Sequence, residues 1–177
     1  RATTTKGNYE GNYRLETPRY IRQQLPELKA HFHGFDGAPE IFGTNFYTAL
    51  ASCRMGLNLS HMQTTQGEIR KATPEEKYLY SSDRISQYIG NGLLTFTHAG
   101  NGLQELFSED ELVYFGAREE LVEKLRFFLA NDAERKRIAG NAWKKAHEMH
   151  NERIVARYIV EATLGEPGEY AWPTEAF

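Results

Sequence analysis

The chain has 177 residues, of which 40% are hydrophobic and 25% charged, and its formal net charge is −3. That make-up fits one soluble globular domain with a sizeable core. The slight negative balance, with no clustered basic patch, argues against nucleic acid and anionic membrane surfaces as partners.

The nearest approach to a basic cluster, Lys144-Lys145, reads as the solvated face of a helix. No apolar run has the length of a bilayer span, and no leader pattern is present. The one cysteine, Cys53, lies between apolar positions and reads as a buried structural thiol. A lone cysteine fits a reducing compartment, so the expected location is cytoplasmic. The chain opens at Arg1 without Met, which points to a piece of a longer protein.

Residues 1–16 are polar and rich in Thr, Gly, Asn and Tyr, and read as a disordered end or a partial first β-α segment. Thr17-Pro18 makes a helix start, with Thr as cap and Pro at the first position. That helix stops or kinks at Pro26. His31 to Phe35 reads as a strand, Asn45 to Cys53 as a short helix, and Met55 to Leu59 as a strand with alternating apolar positions. Residues 60–78 form a long polar connection, of the kind that is often functional. Ser81 or Ser82 then caps a helix that runs to about Ile89 and ends at Gly90-Asn91-Gly92. Leu93 to Thr97 is nearly all apolar, as a parallel strand covered on both faces requires.

Leu112 to Phe115 is another short strand, and three helices follow. The first presents Leu121, Val122, Leu125, Phe128 and Leu129 on one face. The second is capped by Asp132 and shows Ile138, Ala142, Ala146 and Met149. The third is capped by Asn151, shows Ile154, Val155, Tyr158, Ile159 and Ala162, and stops at Gly165 and Pro167. Strands alternating with helices imply parallel pairing and right-handed crossovers. The fold class is therefore α/β, a Rossmann-like doubly wound parallel sheet over residues 17–165 with additional C-terminal helices. Residues 166–177 form a tail, with Tyr170, Trp172 and Phe177, that packs on the domain or toward a missing half.

In such folds ligands bind at the carboxyl ends of the strands. The helix that begins near Ser82 offers free amides and a dipole that favours an anion. Arg84 in its first turn can add a charge-assisted contact, and Gln87 lies three residues on along the same face. Both residues equally suit the wet side of a surface helix, and Asp83 repels phosphate locally. Gly100-Asn101-Gly102 lets backbone amides turn toward a ligand with no side chain in the way. It lacks the third glycine of a dinucleotide fingerprint and the Lys-Ser/Thr of a Walker loop. His98 and His61 each follow a predicted strand; a polar rim or a sugar or phosphate contact would suit them, as it would Asn58 and Ser60. The pairs His31/His33 and His147/His150 have no third ligand of obvious placement, so no metal is expected. No serine–histidine–acid pattern and no paired carboxylates are placed by the sequence.

The segment Ser82-Asp83-Arg84-Ile85-Ser86-Gln87-Tyr88-Ile89-Gly90-Asn91-Gly92-Leu93-Leu94 resembles the donor-site signature of GT-B glycosyltransferases, nearest to the bacterial spore-maturation type. Ala99-Gly100-Asn101-Gly102-Leu103 resembles that family's glycine loop, and the segments at Glu109–Phe115, Arg118–Leu121, Asp132–Arg135 and Arg153–Tyr158 follow in the same order. The similarity covers about residues 30–165. It implies the C-terminal, nucleotide-sugar donor-binding half of the enzyme. Ser81, Ser82 and Arg84 would lie toward the diphosphate, Gln87 at the ribose, and His98, Gly100, Asn101 and Gly102 near the sugar and phosphates. It implies no metal and no cofactor. The partners would be a nucleotide-diphosphate sugar and, through the missing N-terminal half, a sugar or glycan acceptor, so the fragment alone would be inactive.

The sequence departs from the resembled pattern in three places. Gln87 stands where the family has Glu, Leu79-Tyr80-Ser81 carries no acid, and the only early basic candidates are Lys6, Arg14 and Arg19. These departures keep open a non-catalytic relative that serves protein interaction. A flavodoxin-like or signalling domain fits less well, because no acidic phosphorylation cluster or flavin loop is present.

Overall fold

A computed structural model describes residues 13–59, 82–99, 102–166 and 168–170. The expectations for residues 1–12, for the 60–78 connection and for Pro167, Trp172 and Phe177 lie outside the described residues. The elements run α1 (Tyr13–Gln24), α2 (Gly43–Ala51), β1 (Met55–Asn58), α3 (Arg84–Gly90), β2 (Leu94–His98), a 3₁₀ turn (Leu103–Glu105), β3 (Val113–Phe115), α4 (Arg118–Ala130), α5 (Asp132–Met149) and α6 (Glu152–Leu164).

The three strands form one parallel sheet in the order β1-β2-β3. Met55 pairs with Leu94 and Asn58 with Thr97; Phe96 pairs with Val113 and His98 with Phe115. This is an α/β Rossmann-like domain with C-terminal helices. All five residues of β2 are buried, because helices cover both faces of the sheet.

One face carries Leu94, Phe96, Val113 and Phe115, which pack on Ile21 and Leu25 of α1 and on Leu121, Val122, Leu125 and Phe128 of α4. On the other, Tyr114 joins Ile85 and Ile89 of α3, Phe107 and Leu112. Helix α5 serves both clusters, through Ile138 and Ala139 on one side and Ala142 on the other. Its arginine Arg135 is buried, donating to Asp132 at 2.8 Å and to the Arg54 carbonyl at 3.3 Å, which ties α5 to the entry of β1.

Several expectations are corrected. The first helix already includes Tyr13, so Thr17 is no cap and Pro18 lies inside the helix. The extra turn is held by tertiary contacts: Arg118 of α4 bonds Glu16 at 3.4 Å and stacks on Tyr20. Residues 31–35 form bends and a turn, not a strand. Gly34 and Asp36 take left-handed φ values of 71° and 49°. Arg19 bonds Asp36 at 2.8 Å, and Arg22 stacks on Phe32 and Phe35, drawing the segment toward α1. Leu129 and Met149 are exposed, and so is most of the apolar stripe of α6, with Ile159 57% and Leu164 72% accessible. Asp132 is the first residue of α5 and pairs with Arg135 and Lys136 instead of capping. Lys145 bonds Glu111 at 2.9 Å and is not merely solvated. Asn151 does cap α6, accepting from the amides of Arg153 and Ile154.

At the far end, Gly168 N–H and the Tyr170 hydroxyl both donate to Glu161, and the Tyr170 ring lies edge-on to Tyr158. No helix among the described residues is long and apolar enough to cross a membrane.

Candidate functional site

The connection from β1 through α3 to β2 joins parallel strands, so α3 runs opposite to them. The Leu93 amide donates to the Tyr88 carbonyl at 3.0 Å, which puts the C-terminal end of α3 at the start of β2. Seven residues of helix span about 10 Å and five of strand about 16 Å, so the α3 tip rises toward the carboxyl edge of the sheet. Helix α3 is seated there by Gly56. A Cβ at Gly56 would fall 2.6 Å from two atoms of the Tyr88 ring, so that ring lies directly on the β1 backbone. Burial raises the Tyr88 phenol above its ordinary range.

At the tip, Ser82 is buried and its hydroxyl organises the turn. It accepts from the Arg84 amide at 3.3 Å and from Arg84 Nε at 3.0 Å, while donating to Asp83 Oδ1 at 3.2 Å. The guanidinium of Arg84 is thereby folded back over the first turn. Its position borders a cavity of about 1200 Å³ that also meets Tyr88, His31, His33 and Cys53. Cys53 itself is half-buried. Gln87, one turn along, is half-buried; its carbonyl accepts from the amide and side chain of Asn91.

Period-two alternation puts Asn58 and Thr97 on the α3 side of the sheet at this edge, both fully buried. Asn58 Nδ2 donates to Thr97 Oγ1 at 3.3 Å. Thr97 was not singled out from sequence, although the spacing of Thr95 and Thr97 within an apolar run marks a polar stripe.

His98 ends β2 on the opposite face, edge-on to Phe115. Its Nε2 lies 3.2 Å from the Gly116 carbonyl. A carbonyl only accepts, so Nε2 carries the proton. Burial holds this imidazole below its usual range, with the Gly116 bond and the charge of Glu120 pulling the other way. The structure thus brings Ser82, Arg84, Asn58 and Thr97 to one side of the carboxyl edge and sets His98 on the other.

Beyond β2, Gln104 Nε2 donates to the Ala99 carbonyl at 2.5 Å. Gly102, with φ 75°, starts the 3₁₀ turn as only glycine does without strain. Ser81, Gly100 and Asn101 lie outside the described residues. A second helix tip, that of α4, also reaches this edge after β3. There Glu120 Oε2 accepts from the Gly116 amide at 2.7 Å, so a carboxylate already fills it. That bond and the Lys124 pair hold the Glu120 carboxyl below its ordinary range. The sequence points to the Glu120–Lys124 pair, which forms, but the contact of Glu120 with the Gly116 amide was not read, although a glutamate in a helix's first turn is a known capping signal.

His31 and His33 stack with ring centroids 6.2 Å apart. His147 Nδ1 meets the Trp143 carbonyl, and His150 lies against Phe107. Among the described residues no group of three or more His, Cys, Asp or Glu is placed to hold a metal ion.

Residues 16–161 match a family described as glycosyl transferase-like. The chain belongs to that family. Membership points to glycosyl transfer, with a sugar donor and an acceptor as partners. The match spans all three strands and helices α2 to α5, together with most of α1 and α6. No curated protein and no solved structure matched the chain.

Proposed function

We propose that this chain is the nucleotide-sugar donor-binding half of a GT-B glycosyltransferase of the bacterial spore-maturation type, working in the cytoplasm. The observation that carries the reading is the α3 tip. Of the two helix ends raised to the carboxyl edge, that of α4 is filled by the Glu120 carboxylate. That of α3 starts after Asp83 with no side-chain cap, the Ser82 hydroxyl meeting only the Arg84 amide among those of the helix, and bears Arg84 beside a roomy cavity. Amide dipoles and a guanidinium stabilise a diphosphate there.

In this reading Arg84 and the first-turn amides neutralise the nucleoside diphosphate as the glycosidic bond breaks. Ser82 acts through Arg84, fixing the rotamer that the guanidinium uses. Gln87 bonds a ribose hydroxyl as a neutral partner. The Gly100–Gly102 bend passes the sugar and phosphates, and Asp83 tempers the field so that product can leave. The acceptor and the group that orients it come from an N-terminal half. Residues 17–165 are the donor domain, and the 166–177 tail reaches toward that half.

The test is a titration of the full-length parent with uridine, guanosine, cytidine and thymidine diphosphates. One of them should raise the melting temperature, and Arg84→Ala should weaken binding about tenfold or more, the loss of one charge-assisted contact. Absence of any shift at millimolar ligand would remove the proposal.

A second reading is a glycosyltransferase-like domain kept for protein contacts. The exposed Val155, Ile159, Val160 and Leu164 on α6 favour it. Turnover of any sugar donor by the parent would eliminate it.

A further inference from the structure

Among the described residues no strand lies on the outer edge of β1. The Leu94 amide donates to the Arg54 carbonyl, so in a parallel ladder the N–H and C=O groups of Gly56 and Asn58 face β2 and those of Met55 and Leu57 face outward. Sheet order gives β1 no neighbour on that side among the described residues. An open edge with apolar side chains is a liability that folds normally cover.

Across the cavity from that edge runs the segment 28–35. It lines the same cavity as Met55 and Leu57, and Leu28 and Phe32 already pack against the same core cluster as those two residues. The run Lys29-Ala30-His31-Phe32-His33-Gly34-Phe35 contains no proline. Its backbone bonds among the described residues are local ones, from Ala30 to Leu28 and from Gly34 to Pro39, so most of its backbone groups have no backbone partner there. What holds the segment off the sheet is a set of exposed tethers: Arg19 and Arg22 on Asp36, and the same arginines over Phe32 and Phe35. Exposed ion pairs of this kind are weak.

The topology accepts a fourth strand here. Nineteen residues, 36–54, with α2 among them, separate Phe35 from Met55, which is enough for a parallel crossover. A right-handed connection would run over the same face as α3.

We propose that residues 29–35 are a strap that docks in parallel on the outer edge of β1, making a four-stranded sheet and closing the cavity. Phe32 stays on the core face beside Met55 and Leu57. The turn Gly34–Gly37 is carried to the carboxyl edge next to the α3 tip. The device stands whether or not the site there binds a nucleotide sugar.

Amide hydrogen exchange on the full chain, resolved by residue, tests it. Docking predicts protection about tenfold or more at alternate amides within residues 30–35, together with protection at Met55 and Leu57. Exchange of all of these at intrinsic rates, with or without a nucleoside diphosphate, overturns the proposal. Protection of Met55 and Leu57 alone also overturns it, and if that protection grows with protein concentration a second copy covers the edge. As a second measurement, Asp36→Asn removes the tether and should increase protection across residues 30–35. A decrease would show that Asp36 holds the strap in place instead of holding it off.

Discussion

The seat of α3 on β1 makes a quantitative prediction. Replacing Gly56 by Ala places a methyl 2.6 Å from two Tyr88 ring atoms and 3.1 Å from a third. Carbon atoms rest about 3.5–4.0 Å apart, so the ring must withdraw by about 1 Å. It cannot do so freely, because Ile85 and Ile89 on the same helix are buried in the core. Overpacking of this kind costs about 1–3 kcal/mol. Relief of glycine entropy in a strand returns about 0.5–1 kcal/mol. The net loss of about 1–2 kcal/mol lowers the melting temperature by roughly 3–6 °C for a domain of this size. Calorimetry on Gly56→Ala, Tyr88→Ala and the double variant is the assay. The double variant should be less destabilised than the sum of the singles, since removing the ring removes the clash. The alanine also tilts the α3 tip, so nucleoside diphosphate binding should weaken although Gly56 touches no ligand. Additive effects, or a Gly56→Ala variant more stable than the parent, would refute the seating of Tyr88 on β1.

Two further outcomes follow from buried polar groups. Thr17 is fully buried and its hydroxyl has no hydrogen-bond partner among the described residues, which costs about 1–3 kcal/mol, so Thr17→Val should stabilise by about 1 kcal/mol. Urea denaturation should show a higher midpoint at unchanged slope; a lower midpoint would mean that the hydroxyl is satisfied. His98 and His150 are both held below the ordinary histidine range, chiefly by burial. As pH falls below about 6.5 the unfolded chain takes up protons first, so stability declines from there down to the folded-state values and is unaffected by these groups above it. His98→Gln, whose amide can still donate to Gly116, should flatten the melting-temperature slope between about pH 7 and about pH 5. An unchanged slope would show that His98 does not contribute to it.

Much of this protein was legible in its residues. The nearly apolar run Leu93–Thr97 suited a covered strand, the stripe from Leu121 to Phe128 a packed helix, and Asn151 a cap, because each rests on local periodicity or local hydrogen bonding. The order of elements implied parallel pairing, and Arg84 was read into the first turn of α3 because a helix start is a local signal, although the N-cap is Asp83 and not the expected serine. What the residues alone left undecided depends on partners distant in the chain. Helix α1 extends past Thr17 because Arg118, about a hundred positions away, holds Glu16 and Tyr20. Residues 31–35 bend because α1 draws on Phe32, Phe35 and Asp36. His98 and Arg84, both assigned to one rim by their places in sequence, stand on opposite faces of the sheet, since a strand alternates its side chains while the covering helix lies on one face only.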